Sequence, residues 1–177
     1  MVATKQIPTR AAVPEALTWD LTTIYADQAA YEADVTKVKT ELTNVAALKA
    51  HFTDSADTVL AGIQGVLSLY RRLEKVAVYA SLKSDQDTGN GANAALDDRA
   101  GSLSAQVSAA TAWLDPALLS LTSAQLDQYM DENVALRDYR HLLDTVRLQK
   151  GHVLSEAEEA LLAGAGDIFD ASAKTFG

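Results

Sequence analysis

Apolar residues recur at steps of three and four on both sides of a polar interruption between positions 55 and 114. That spacing places side chains on one face of a helix. The interruption, residues 84–93, contains almost no apolar side chain. The pattern therefore predicts an antiparallel helical hairpin whose two apolar faces pack together. The predicted inward residues are Leu60, Ile63, Leu67, Tyr70, Leu73, Ala77 and Ala80, followed by Leu96, Ala100, Leu103, Val107, Ala110 and Leu114.

The sequence before the hairpin predicts one further helix, preceded by an extended segment. Asp27 is a suitable N-cap, because its carboxylate can accept the free amide hydrogens of a first helical turn. Thr43-Asn44 weakens this helix, and a shorter apolar piece, 45–52, follows it. We interpret 13–25 as extended, with Trp19 and Leu21 laid against the helices. The inward residues of the helix are Tyr31, Val35, Val38 and Leu42.

Three further helix signals follow the hairpin. Asp115-Pro116 predicts the end of its second helix, since the residue before proline avoids the α region. Thr122 with Gln125 reads as a capping box. Ser155 with Glu158 resembles a second such start. Between them, 136–149 predicts a helix with inward Leu136, Tyr139, Leu142, Leu143 and Val146, and an outer basic face of Arg137, Arg140, Arg147 and Lys150.

These elements predict an all-α fold, an antiparallel helical bundle built on the hairpin at about 55–114, with a short extended N-terminal arm. We divide the chain into an arm, 1–26, and a helical domain, 27–177. The chain has 177 residues, 48% of them hydrophobic and only three prolines. That composition suits one domain with long helices.

Charge and cysteine content narrow the functional classes. The net charge of −9 disfavours nucleic acid and anionic membrane surfaces as partners. With no cysteine, disulfides, thiol catalysis and cysteine-based zinc sites are excluded. Residues 1–13 lack the apolar core of a secretory signal, and no apolar run approaches membrane-spanning length. We therefore expect a soluble cytoplasmic protein.

The residues themselves predict no catalytic, cofactor-binding or metal site. His51, His141 and His152 lack the His-Glu-x-x-His spacing that suits zinc. His152 and Glu156 are four apart, but a cap at Ser155 would leave His152 outside the helix. No nucleophile elbow or phosphate loop is present. Asp85 and Asp87 in the turn could bind calcium, but the glutamate that closes an EF-hand loop is missing, so we interpret this stretch as a solvated turn. The charge runs Asp97-Asp98-Arg99 and 71–75 are interpreted as solvated surface with i,i+4 pairs.

Five phrases, in order, resemble the oligoendopeptidase F family. The strongest is the hairpin turn, 78–90, which is similar to the family's Tyr-Ala-x-Leu-x-x-Asp-x-Asp-Thr-x-Asn. The Trp-Asp-Leu phrase within 18–25 resembles the start of the family's sequences. The remaining phrases are 108–116, which ends in Asp-Pro, 139–143 (Tyr-Arg-His-Leu-Leu), and 154–159 (Leu-Ser-Glu-Ala-Glu-Glu).

This resemblance implies a zinc oligopeptidase related to thimet oligopeptidase, which cuts short peptides inside an enclosed channel. In that family a His-Glu-x-x-His helix and a downstream glutamate hold the zinc, and the motif's glutamate activates the zinc-bound water. This sequence contains none of those residues. The chain would correspond to the N-terminal helical part, one wall of the channel, with no zinc of its own.

We therefore expect an N-terminal fragment of such an enzyme, inactive alone, whose exposed face packs on the catalytic domain that acts on short peptide substrates. The alternative is a stand-alone helical protein-interaction domain that has lost the catalytic half. An exposed apolar face that binds a hydrophobic dye favours the first hypothesis. A soluble, cooperatively folding domain favours the second.

Overall fold

The computed structural model describes residues 8–148 and 156–165, and within these ranges the chain is helical without strands. The predicted all-α fold is thus confirmed. Short 3-10 segments precede α1 and join some of the helices. The α-helices are α1 (Gln28–Leu48), α2 (Ala56–Gln86), α3 (Gly91–Thr111), α4 (Leu114–Ser120), α5 (Ser123–Glu132), α6 (Arg140–Leu148) and α7 (Glu156–Gly164).

The hairpin of α2 and α3 is the centre of the fold. Ser55 and Thr58 form a capping box at the start of α2, and the Asn90 side chain accepts the amide hydrogens of Ala92 and Asn93 at the start of α3. The turn is shorter than the predicted one, because α2 extends to Gln86 and α3 begins at Gly91. Helix α1 packs against both helices, so the three form a bundle.

The buried face of α2 differs from the predicted one. Leu67 and Tyr70 were expected inside, but they are 39% and 40% exposed. Helix α2 lies between α1 and α3 and carries apolar residues around most of its circumference. The spacing of its apolar residues is therefore compatible with more than one buried face. The core side chains of α2 are Val59, Ile63, Val66, Leu69, Leu73, Val76, Tyr79 and Ala80.

Helix α3 follows its prediction for most of its length, since Leu96, Ala100, Leu103 and Val107 are all buried. Its end is different. The helix stops at Thr111, ahead of the predicted stop at Asp115-Pro116, and buried Trp113 follows it. Proline needs no amide hydrogen in a first helical turn, so the Asp-Pro step lies inside the start of α4.

Helix α1 begins as predicted, with the Asp27 side chain accepting the Ala30 amide hydrogen at 2.8 Å. The predicted weakness at Thr43-Asn44 is wrong, because the helix continues to Leu48. Val45 and Leu48 lie beside Gly65 of α2, and this contact accounts for the continuation.

The segments after α3 pack at one end of the bundle, and α7 lies along α3. The Thr122–Gln125 capping box is confirmed. The outer arginines bind α5: Arg137 pairs with Asp131 at 2.7 Å, and Arg147 donates to the Ser123 hydroxyl. The expectations for Lys150, Gly151, His152 and Ser155, and for the chain after Ala165, lie outside the described residues.

A close approach joins Phe52 to α2. A Cβ atom at Gly62 would lie 2.4 Å from the Phe52 ring. The same ring packs against the Trp113 indole, with 5.1 Å between the ring centroids. The Phe52 side chain is almost completely buried. Glycine is thus required at position 62 by space, although it lowers helix propensity.

Gly62→Ala should lower the free energy of unfolding by about 1–3 kcal/mol, because the added methyl displaces a ring that is packed on both sides. Urea denaturation of the native chain and the variant measures the difference.

Gly101→Ala is the matched control in α3, where a Cβ would meet no atom within 4 Å. Here the change should raise stability by about 0.5–1 kcal/mol, as alanine is the better helix former. Equal effects at the two positions would contradict the packing argument.

Candidate functional site

The most concentrated polar chemistry in the described residues surrounds the buried carboxylate of Asp34. The Tyr25 hydroxyl donates to Asp34 Oδ2 at 3.0 Å, and Lys37 Nζ donates to Oδ1 at 3.1 Å. From α2, Arg72 Nη1 reaches Oδ1 at 3.3 Å, and Lys75 Nζ lies 3.9 Å from Oδ2. The carboxylate therefore joins the N-terminal segment, α1 and α2.

Arg72 strengthens the same junction by binding a second carboxylate. Its Nε donates to Glu41 Oε1 at 2.9 Å, so one guanidinium spans two acidic residues of α1. The i,i+4 interpretation of the charge runs is wrong for Arg72. It is also wrong for Arg99, which pairs with Glu32 of α1 through both terminal nitrogens. Spacing along one helix could not reveal these contacts, since they join different helices.

Three tyrosines form an aromatic cluster next to Asp34. Tyr25 meets Tyr31 and Tyr79 edge-on, with ring centroids 5.6 and 5.2 Å apart, and Tyr31 lies 5.2 Å from Tyr79. Lys75 Nζ lies 4.2 Å above the Tyr25 ring, which is a cation–π geometry. The cluster fixes the segment before α1 onto both α1 and α2.

Tyr25, rather than Trp19, anchors that segment. Leu21 is buried as predicted, but Trp19 is 56% exposed, so its assignment as a packing anchor is wrong. Instead the Trp19 backbone carbonyl accepts a hydrogen bond from Gln86 Nε2 at 2.8 Å. The prediction that 13–25 is extended is wrong, because the segment contains 3-10 turns at Glu15–Leu17 and Leu21–Thr23. The second turn begins at Asp20, directly after Trp19, where the Asp20 side chain accepts the Thr22 amide hydrogen.

Asp34 is held in its ionised form. Burial alone would raise the pKa of the Asp34 carboxyl, but hydrogen bonds from Lys37 and Tyr25 and the nearby positive charges outweigh that effect and lower it. Burial and the bond to Asp34 raise the pKa of Tyr25, so its hydroxyl keeps the proton that it donates. A carboxylate with a lowered pKa and several donors is a poor base, and the arrangement is suited to joining helices.

The sequence contained a signal for this cluster that periodicity by itself does not use. Asp34 lies three residues after Tyr31 and four before Val38, which places an acidic residue on the inward face of α1. A buried carboxylate requires cationic or hydrogen-bonding partners. The identity of those partners depends on the packing of α1 against α2.

A groove of about 400 Å³ lies beside the cluster, between the N-terminal segment and the ends of α1 and α2. Charges of both signs line it, including Arg10, Glu15 and Lys83, and exposed Trp19 forms part of its rim. Within this lining the Thr22 hydroxyl donates to the Asp20 carboxylate, and this hydrogen bond lowers the pKa of Asp20 and makes it a weak base.

The residues that the sequence analysis weighed for metal binding lie in different parts of the structure. His51 Nδ1 contacts Asp54 at 2.8 Å on the surface, while His141 and Asp85 are exposed on other helices. Across 8–148 and 156–165, no group of three or more His, Asp or Glu side chains could hold a metal ion. The described residues therefore do not fit the zinc that the resemblance implies. Among the described helices, none is long and apolar enough to cross a membrane.

Known proteins match this chain in sequence. The family model described as Oligopeptidase F matches residues 118–177. Plasmid-encoded oligoendopeptidase F of Lactococcus lactis subsp. cremoris is 36% identical over 165 residues, which are 93% of this chain and 28% of the relative. Oligopeptidase PepF of Bacillus subtilis is 36% identical over 171 residues, 97% of this chain and 26% of the relative.

A solved structure matches the fold. The crystal structure of oligoendopeptidase-F from Enterococcus faecium has a TM-score of 0.78 and 42% sequence identity, over 82% of this chain and 28% of that chain. The chain thus spans under a third of the length of these relatives, and it corresponds to their N-terminal portion.

Acid should weaken the junction at Asp34. Because the folded-state pKa of Asp34 is lowered, its stabilising contribution is present above the unfolded value of about 4 and is lost as pH falls through the folded value. Asp34→Asn should therefore destabilise the protein by about 1–3 kcal/mol at pH 7 and much less at pH 2. Thermal unfolding at the two pH values measures this.

Asp144→Asn provides the control, because Asp144 is exposed on α6 and makes none of the contacts described above. It should change the unfolding midpoint little at either pH. A loss for Asp34→Asn that is the same at both pH values would contradict an electrostatic role for the carboxylate.

Proposed function

Because the chain belongs to the oligoendopeptidase F family and corresponds to its N-terminal portion, we propose that it forms one wall of the enclosure in which a family peptidase cuts short peptides. The observation that carries this proposal is the match to the Enterococcus faecium structure, 42% identical with a TM-score of 0.78. Both sequence and fold support an equivalent position in a larger protein.

The proposed contribution of this portion is steric. Helix α2 has 31 residues and so extends about 46 Å, at about 1.5 Å per residue, and α3 runs back alongside it. Core packing holds these helices together, and the Asp34 junction joins α2 to α1. A rigid wall of this length would admit short, flexible peptides and keep folded proteins away from the reactive centre.

The reactive chemistry would lie outside these residues. We propose that the parent enzyme is a metallopeptidase and that residues of the family's catalytic portion would hold its zinc, which would supply Lewis-acid chemistry there. This chain's residues would hold no zinc. Within it, 1–26 would act as an arm over the helical domain 27–177, and an exposed apolar face would contact the catalytic portion. We also propose a cytoplasmic location.

A chimera tests the proposal. In the Enterococcus faecium enzyme, the matched 28% would be replaced by this chain and the remainder kept. The chimera should cleave short fluorogenic peptides, whereas the 177-residue chain should cleave none, since the reactive groups lie in the remainder.

As a control, the catalytic glutamate of the chimera's His-Glu-x-x-His motif would be changed to glutamine, which should abolish cleavage by the same chimera. Cleavage of a folded protein substrate as fast as of a short peptide would argue against a size-limiting wall. A folded chimera without peptidase activity would overturn the proposed function.

A further inference from the structure

Helix α7 packs onto the bundle through its smallest side chains. Ala160 lines a small cavity with Ala109, Ala110 and Trp113 at the end of α3. Three residues on, Ala163 forms one wall of a groove between α2 and α3. Residues three apart share a helix face, so the alanine face of α7 is the one turned to α3.

The larger apolar side chains of the same helix point elsewhere. Leu161 is 74% exposed and Leu162 is 45% exposed. A helix that packs on one side only normally buries its leucines and leaves its alanines at the margin, since burying a leucine is worth about 1.5–3 kcal/mol. Helix α7 has the opposite arrangement, which suits a helix held between two bodies.

A groove of mixed polarity lies beside α7. It encloses about 300 Å³, and its lining combines apolar Val66, Leu114 and Ala163 with polar Ser108 and Thr111. Tyr70, which is 40% exposed, lies on its α2 side. Leu162 precedes Ala163 in the helix, so its side chain lies about 100° around α7 from the one that lines the groove.

The hydroxyl of Tyr70 gives the groove a defined polarity. Thr111 Oγ1 donates its proton to the Val107 carbonyl at 2.9 Å, so in the 2.9 Å contact between the two hydroxyls Tyr70 is the donor. A hydroxyl has one proton and two acceptor sites. The Tyr70 oxygen can therefore accept a hydrogen bond from a group that enters the groove.

We propose that the outward face of α7, Leu161 and Leu162 with the adjoining groove, is the surface on which the remaining part of an oligoendopeptidase F polypeptide docks. The occupant would present apolar side chains to the leucines and one N–H or O–H donor to Tyr70. This assignment rests on the proposed function and adds to it the contact surface.

Two observations favour this occupant over a second copy of the chain. The matched relatives have more than two thirds of their length outside the portion that this chain covers, so a large polypeptide is available in each. A second copy carries the same net charge of −9, and two such copies repel each other. The family model's match to 118–177 covers the sequence of α7 as well.

The test compares Leu161→Glu/Leu162→Glu with Leu148→Glu in the chimera. Leu148 is 85% exposed at the end of α6, so it controls for placing an acidic residue at an exposed leucine. The double variant should reduce peptidase activity by roughly tenfold or more, which corresponds to about 1.4 kcal/mol, and should split the cooperative thermal unfolding into two transitions. Leu148→Glu should preserve a single transition and nearly full activity.

The 177-residue chain distinguishes docking from folding. There the double variant should keep its helical circular dichroism and unfolding midpoint, and it should bind less hydrophobic dye than the native chain. A large fall in the midpoint would assign the leucines to the core and overturn the proposal. So would a native dimer in sedimentation that the double variant dissociates, because that result would assign the face to a second copy.

The thermal transitions also separate this proposal from the proposed function. An inactive native chimera with one transition, which the double variant splits, would support docking while refuting the enzymatic assignment. An active native chimera in which the double variant and Leu148→Glu behave alike would refute docking alone.

Discussion

The arrangement of the N-terminal segment, α1 and α2 depends on the hydrogen bonds and ion pairs of the ionised Asp34 carboxylate. A buried charge is costly unless donors surround it, and those donors come from the N-terminal segment, α1 and α2. Moving the N-terminal segment or α2 relative to α1 would remove at least one donor from this buried carboxylate. The junction therefore specifies one arrangement, whereas apolar contacts between helices tolerate small rotations.

The positions of the helices could be predicted from the sequence because caps and apolar spacing are local signals. Asp27, Ser55 and Thr122 each begin a helix as predicted. The rotation of α2 about its own axis could not be predicted. A helix between two neighbouring helices is apolar over a wide arc, and periodicity does not tell which apolar residues face which neighbouring helix. Leu67 and Tyr70 are on the outside for that reason.

The polar contacts between helices were beyond prediction for a related reason. The partners of Arg72 and Arg99 lie 31 to 67 residues away in the chain, and such pairs follow only from the packed arrangement. The expected solvent exposure held for Asp85. The expectation that charge runs are solvated failed where a long cationic side chain lies at a helix–helix boundary. The prediction for Trp19 failed for another reason, because the segment before α1 turns at Asp20 instead of staying extended.

The contact between α7 and α3 has a consequence for the order in which the protein assembles. Alanine methyl groups bury little area, so this contact adds much less free energy than the leucine and valine contacts within the hairpin. The hairpin contacts are close in sequence and would form early, whereas α7, under the docking proposed above, would gain most of its stability only once its leucines are covered. Helix α7 would thus couple the completion of this portion to the arrival of its partner, and the enclosure would close as a late step of folding.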